Sequence, residues 1–132
     1  MDLPSIMIAD DSAAWRAIIS RIVEPEYRIV GFATRGDEVV RQAAALQPDA
    51  ITLDVSMPGV SGLQVLPKLR SALPNAVIVI VTVTSSQLYM DEARLRGADA
   101  YVVKRNALAD LIPAIQKRTS IRDSPRRYQA QA

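Results

Sequence analysis

Apolar runs alternate with helical patterns along the chain. Five runs that are typical of strands begin 22 to 26 residues apart, near Ile6, Arg28, Ala50, Ala76 and Ala100. Residues 78–81 show no polar alternation, which indicates a strand that is covered on both faces. Because a helical pattern follows each run, the sequence predicts five βα units and a doubly wound α/β fold with a five-stranded parallel sheet.

Apolar residues at helical spacing fill the intervals between these runs. The first helix is predicted to end before Pro25, and its apolar face consists of Trp15, Ile18, Ile19, Ile22 and Val23. Comparable patterns predict helices near residues 39–46, 63–73, 85–96 and 108–115. The predicted helix near residues 85–96 has the poorest apolar face, so we expect it to be the helix that is least firmly docked against the sheet. Pro67 and Pro113 fall inside predicted helices, where a proline is expected to kink the axis.

Composition narrows the chemistry that the chain can perform. With 132 residues and 49% hydrophobic content, the chain is expected to form one globular domain. The absence of cysteine and histidine excludes disulfides, thiolate zinc sites and Ser-His or Cys-His catalysis. No apolar run approaches the roughly 20 residues that span a bilayer, and no secretory leader is visible. We therefore expect a cytoplasmic protein that has no membrane partner.

Charge is distributed unevenly along the chain. Residues 1–116 carry 11 basic and 13 acidic side chains, whereas residues 117–132 carry five basic side chains and one acidic side chain. The slightly acidic body argues against direct nucleic-acid binding by the domain itself. We predict one domain over residues 1–118 and a flexible basic tail over residues 119–132.

Residues that can perform chemistry lie at the ends of four of the five predicted strands. In chain order they are Asp10 and Asp11, Asp54, Thr82 and Lys104. In open parallel sheets, ligands bind outside the carboxyl ends of the strands, at the point where the strand order reverses. If the order is 2-1-3-4-5, the reversal lies between the first and third strands, beside the three carboxylates.

Three carboxylates in one cleft require compensation of their negative charge. One divalent cation and the ammonium of Lys104 would supply it, and Mg²⁺ is the natural choice because it prefers oxygen ligands. An aspartate beside Mg²⁺ can attack phosphorus and form an aspartyl phosphate. Asp54 is the best candidate for the nucleophile, because the turn at 57–59 can expose it. The other metal ligands are predicted to be Asp10, Asp11 and the backbone carbonyl of Ser56.

Four sequence motifs carry these residues. They are IADD at 8–11, LDVSMPGVSGL at 53–63, VT at 81–82 and GADAYVVK at 97–104. Together they resemble the response-regulator receiver domains of two-component signalling, over residues 5–118. The resemblance implies the flavodoxin-like fold with strand order 2-1-3-4-5. It is strongest to receivers that carry a C-terminal helix-turn-helix, which these residues do not include.

The resemblance implies a phosphorylation-dependent regulator of the bacterial cytoplasm. Asp54 would accept a phosphoryl group from the phosphohistidine of a sensor histidine kinase, with Mg²⁺ held by the acidic pair Asp10 and Asp11. The chain would not be a turnover enzyme, because it would catalyse only transfer to its own side chain and its own dephosphorylation. The output stays open between a partner protein, a DNA-binding domain and a phosphorylation-dependent homodimer.

The resemblance also assigns the residues that read and tune the phosphorylated state. Thr82 and Lys104 would be drawn toward the phosphoryl oxygens, and the ring of Tyr101 would turn inward as the threonine moves. This shift would make the face of the fourth helix, fifth strand and fifth helix the signalling surface. Ser56 and Thr84 match the positions that tune how long the phosphate survives.

Two positions depart from the family pattern. Arg105 stands where many receivers have a proline that follows a cis peptide bond, so a trans Lys104–Arg105 bond is expected. Val83 replaces the usual alanine beside the threonine. A larger side chain at this position is expected to narrow the access to Asp54 or to slow the switch.

Three other functions compete with this interpretation. A receiver-like scaffold that is never phosphorylated is the first. A haloacid-dehalogenase-like phosphatase is the second, but that family has a second acid two residues after the nucleophile, where this chain has Ser56. A nucleotide-binding α/β module is the third, but no glycine-rich phosphate loop follows the first strand.

Overall fold

Strands and helices alternate through the computed structural model, which describes residues 2–121 and 129–131. The strands are β1 (Ser5–Ala9), β2 (Arg28–Ala33), β3 (Ala50–Leu53), β4 (Val77–Thr82), β5 (Ala100–Val103) and β6 (Gln129–Gln131). The α-helices are α1 (Ala13–Val23), α2 (Gly36–Leu46), α3 (Gly62–Ala72), α4 (Gln87–Leu95) and α5 (Ala107–Ile121). A 3-10 turn, Lys104–Asn106, joins β5 to α5. The five predicted βα units are confirmed.

The strands form one parallel sheet with the order β2-β1-β3-β4-β5-β6. The order predicted for the first five strands is confirmed. The short strand β6 was not predicted; it pairs with β5 and places Ala130 opposite Tyr101. Helix α5 runs to Ile121, beyond the boundary predicted at residue 118. Residues 122–128 and 132 of the predicted basic tail lie outside the described residues.

Two apolar layers cover the two faces of the sheet. Helices α2, α3 and α4 form one layer, and α1 and α5 form the other. Successive residues of β1 alternate between them, since Met7 joins the first layer and Ile6 and Ile8 join the second. All six residues of β4 are buried, as expected for a strand covered on both faces. Within residues 2–121, each helix is too short or too polar to cross a bilayer.

Helix α4 is anchored by few side chains. Met90 and Ala93 are its buried residues. Leu88, Tyr89 and Leu95 are 68%, 41% and 73% exposed, so three of its four large apolar side chains lie largely in solvent rather than against the sheet. This sparse docking agrees with the prediction from the apolar pattern.

Helices α3 and α5 both continue through an internal proline. In α3, Pro67 has no N–H with which to bond the carbonyl of Leu63, four residues earlier. Arg96, directly after α4, donates from Nη1 to this carbonyl at 3.1 Å. The acceptor that Pro67 leaves free is thereby satisfied from a neighbouring helix. The position of Pro113 in α5 has no comparable explanation in the structure.

Candidate functional site

The five residues predicted to carry chemistry meet at the carboxyl edge of the sheet. Asp10 and Asp54 directly follow β1 and β3, and their N–H groups continue the strand pairing by donating to Ala33 and Ala9. Thr82 ends β4, and Lys104 directly follows β5. The parallel strands end at a common level, which explains why residues distant in sequence come together.

The Lys104 ammonium bridges two buried carboxylates. Its Nζ lies 2.8 Å from Asp10 Oδ2 and 3.2 Å from Asp54 Oδ2. The three side chains are between 1% and 6% exposed. Water screens such a cluster poorly, so one cation between two anions lowers the electrostatic cost of burying them.

Asp10, Asp11 and Asp54 have the chemistry of a divalent-cation site. Each offers one carboxylate oxygen, and these oxygens lie within 4.8 Å of one another. Asp10 Oδ2, though close to Lys104, accepts no aligned hydrogen bond from any described residue. Asp11 is exposed, so the cluster opens to solvent on one side. An oxygen-rich, partly open site with a net negative charge fits Mg²⁺.

Burial controls the protonation of Asp54. Loss of solvation raises its pKa above the ordinary carboxyl range, while the nearby Lys104 ammonium and the Ser56 N–H act in the opposite direction. The Ser56 N–H donates to Asp54 Oδ1 at 3.2 Å, and the Ser12 N–H donates to Asp10 Oδ1 at 2.9 Å. One backbone N–H therefore fixes the orientation of each buried carboxylate.

Two glycines let the chain close tightly around Asp54. A Cβ at Gly62 would lie 2.4 Å from the Asp54 carbonyl oxygen, and a Cβ at Gly36 would lie 1.6 Å from the Val60 oxygen. The Gly36 N–H also donates to the carbonyl of Pro58 at 3.0 Å. The start of α2 thus supports the loop that follows Asp54. Sequence reasoning missed both glycines, although each stands at the first position of a helix, where glycine is a poor helix former.

Thr82 and Tyr101, which were predicted to form the switch, are both fully buried. Thr82 Oγ1 is buried and makes no hydrogen bond within the described part of the chain. Tyr101 is fully buried, and its hydroxyl donates to the Thr84 carbonyl at 2.9 Å. Burial raises the pKa of Tyr101 to about 12. The ring is therefore inside, and its hydroxyl contacts the segment between β4 and α4.

The remaining predicted positions surround this cluster. Ser56 is exposed and Thr84 is half-buried, so both lie within reach of solvent. Val83, expected to narrow the access to Asp54, is 66% exposed. Among the described residues no peptide bond is cis, so the trans bond predicted between Lys104 and Arg105 is confirmed.

Two residues of α1 complete the site and were not predicted to belong to it. The Trp15 ring lies under the Lys104 ammonium, with 5.0 Å from Nζ to the ring centroid. Arg16 donates from Nη1 to the Asp10 carbonyl at 3.0 Å. The sequence pattern placed Trp15 only on the apolar face of a helix. The available signal was its position in the first turn of α1, four residues after Asp11.

Comparison with known proteins gives a consistent family match. Residues 6–116 match the response regulator receiver domain family. The nitrate/nitrite response regulator protein NarL of Escherichia coli K12 is 33% identical over 115 residues, which are 86% of this chain and 53% of NarL. The chemotaxis protein CheY of Thermotoga maritima is 30% identical over 113 residues, 85% of this chain and 94% of CheY.

Solved structures give the same result. A LuxR-family two-component response regulator from Aurantimonas sp. SI85-9A1 superimposes with a TM-score of 0.86 at 26% identity, covering 98% of this chain and 90% of that structure. The response regulator domain of Thermotoga maritima CheB gives a TM-score of 0.82 at 26% identity, covering 89% and 97%. The chain spans about half the length of NarL and of the transcriptional activator EvgA.

Proposed function

Because this chain belongs to the response regulator receiver domain family of two-component systems, we propose that it accepts a phosphoryl group on Asp54 and signals through the state of that residue. One observation carries the proposal: a buried carboxylate at a strand end has an ammonium at 3.2 Å and two further acids beside it. Receiver domains are in general not turnover enzymes. We expect one transfer per molecule, followed by the chain's own dephosphorylation.

Asp54 would act as the nucleophile through a carboxylate oxygen. This oxygen forms a bond to phosphorus while the bond from phosphorus to the imidazole nitrogen of a phosphohistidine breaks. The nitrogen keeps the electron pair and takes a proton from solvent. Lys104 is already next to Asp54, so its ammonium can follow the negative charge as it builds on the phosphoryl oxygens.

Asp10, Asp11, Asp54 and the backbone carbonyl of Ser56 would hold Mg²⁺ in this reaction. When bound, Mg²⁺ offsets the negative charge of the transferring phosphoryl group. The two buried acids accept backbone N–H groups through their Oδ1 atoms, so their Oδ2 atoms are the ones that face the cluster. Exposed Asp11 leaves a route from solvent for the ion and the phosphodonor.

Thr82 and Tyr101 would carry the phosphorylated state to the surface. The Thr82 hydroxyl makes no hydrogen bond to a described residue and can donate to a phosphoryl oxygen. Tyr101 holds the Thr84 carbonyl, so displacement of the segment after β4 changes its environment. This segment leads into the sparsely docked α4, which with β5 and α5 would form the signalling surface. Ser56 and Thr84 are small and polar, which leaves water access to the acyl phosphate.

A sensor histidine kinase would supply the phosphoryl group. The relatives suggest the output, since EvgA is a DNA-binding transcriptional activator and a LuxR-family regulator of Staphylococcus aureus is also DNA-binding. We propose that the phosphorylated surface controls a DNA-binding domain or a partner protein, with a phosphorylation-dependent homodimer as one form of this control. The domain body would not bind nucleic acid directly. The cytoplasmic location expected from the sequence stays a prediction.

Labelling with acetyl phosphate and Mg²⁺ tests the proposal. The wild-type chain should gain one phosphoryl group by mass spectrometry, and Asp54→Asn should gain none. Asp91→Asn, which changes an exposed aspartate of α4, should label like the wild type. Chelation of Mg²⁺ should abolish labelling. A wild-type chain that never labels would instead support an unphosphorylated scaffold, and sustained release of phosphate from simple esters would support a phosphatase.

A further inference from the structure

The Lys104 ammonium has a third neighbour besides its two carboxylates. Asp10 and Asp54 lie at 2.8 and 3.2 Å from Nζ, and the centroid of the Trp15 ring lies at 5.0 Å. An ammonium over the face of an indole within about 6 Å is attracted by the negative potential of the ring. Trp is the strongest of the aromatic side chains in this interaction, and the attraction increases when the ammonium is desolvated. The Lys104 side chain is only 6% exposed.

Trp15 is itself held firmly in place. It is the third residue of α1, and its N–H donates to the Ser12 hydroxyl that caps the helix. The next residue, Arg16, donates to the Asp10 carbonyl, and the Ser12 N–H donates to the Asp10 carboxylate. The first turn of α1 is therefore tied to the same acid that pairs with Lys104. The ring packs against the apolar layer of α1 and α5.

The three neighbours of Lys104 differ in what can displace them. A divalent cation competes for the oxygens of Asp10 and Asp54, and phosphorylation converts one Asp54 oxygen into part of an acyl phosphate. A neutral indole does not bind a hard cation and does not titrate, so it stays available to the ammonium throughout the reaction. Without this partner, a long lysine side chain would gain several rotamers as soon as its carboxylates were engaged elsewhere.

We propose that Trp15 is a positioning residue for phosphoryl transfer, which holds the Lys104 ammonium within reach of the oxygens on the incoming phosphoryl group. The inference rests on the proposed function, because it concerns the rate of that reaction. In the test reaction, an Asp54 oxygen bonds to the phosphorus of acetyl phosphate, the phosphorus–oxygen bond to acetate breaks, and acetate leaves with the electron pair. Trp15 acts only through the placement of Lys104.

Initial rates of labelling by acetyl phosphate, at saturating Mg²⁺ and over a series of donor concentrations, test the proposal. Trp15→Met keeps an apolar side chain without a ring, and should lower the maximal rate about tenfold with a similar concentration for half-maximal rate. Trp15→Phe restores a ring and should recover most of the rate. Ile22→Ala truncates another side chain of α1 in the same apolar layer and should label like the wild type.

Tryptophan fluorescence reports on the contact between Trp15 and Lys104 without the need for phosphorylation. Trp15 is the one tryptophan of the chain, so its emission reports on this ring alone. Lys104→Met should shift the emission, and added Mg²⁺ should change the emission of the wild type more than that of this variant. If the wild type is labelled and both Trp15→Met and Trp15→Phe are labelled at the same rate, the role of Trp15 is refuted but the proposed function is not. Absence of label on the wild type would overturn the proposed function and the inference together.

Discussion

Lys104 pairs with two buried carboxylates, so removal of its ammonium should be a severe perturbation. Lys104→Met keeps the length and apolar stem of the side chain but deletes its charge. Asp10 and Asp54 then face each other, almost fully buried, with no cation between them. The contact between the ammonium and the Trp15 ring is lost as well.

The expected loss of unfolding free energy is large for a domain of this size. Removing one partner of a buried ion pair costs ~3–5 kcal/mol, because it leaves an unpaired buried charge. Total stability is typically about 5–15 kcal/mol, so a loss of this size removes between a fifth and all of the margin. Lys104 opposes the rise in the pKa of Asp54 that burial causes, so the variant should also bind a proton more readily at this site.

Urea unfolding at neutral pH, without divalent cations, measures this loss. Lys68→Met removes an exposed lysine of α3 and should change stability by less than about 0.5 kcal/mol. Mg²⁺ should stabilise Lys104→Met at least as strongly as the wild type, because the ion meets two buried carboxylates that have no competing ammonium. If Lys104→Met costs no more than Lys68→Met, the ammonium does not hold the acids together and our electrostatic description is refuted.

Three further measurements follow from the same site. Burial raises the pKa of Asp54, so the contribution of this carboxyl to the stability of the metal-free chain should fall as pH rises above about 4, and Asp54→Asn should remove that contribution in urea unfolding. Tyr101→Phe should cost ~1 kcal/mol and remove a phenol ionisation near pH 12 from an absorbance titration; loss of a phenol that ionises near the ordinary value of about 10 would contradict the burial of this hydroxyl. Gly62→Ala should lower the unfolding free energy by ~1–3 kcal/mol in calorimetry and slow labelling, since its Cβ would lie 2.4 Å from the Asp54 carbonyl oxygen. Unchanged stability would show that the loop after Asp54 shifts to make room for the methyl group.

The strands and the five residues at their ends could be predicted from the sequence for a physical reason, whereas the strand order came from the resemblance to a family. Each strand of a covered parallel sheet is an uninterrupted apolar run, such as residues 78–81, and a polar residue directly after it marks the end of the strand. Since parallel strands end at one edge, Asp10, Asp54 and Lys104 had to approach one another once the order was right.

Contacts between residues that are far apart in the sequence could not be predicted when they leave no local sequence pattern. Trp15 satisfies the apolar periodicity of α1, and only its three-dimensional position places it beneath an ammonium. Gly36 and Gly62 are needed because backbone from another loop passes within contact distance, and a single sequence does not record that approach. Strand β6 is three residues long, too short for a recognisable alternation.

The proline of α3 has a consequence for the proposed motion of α4. Pro67 makes the Leu63 carbonyl depend on Arg96, the residue directly after the neighbouring helix α4. This hydrogen bond is part-buried, so a shift of α4 that the Arg96 side chain cannot follow would leave the carbonyl to solvent. Any such shift would therefore exchange a protein donor for water at the start of α3, an exchange that an ordinary residue at position 67 would have made unnecessary.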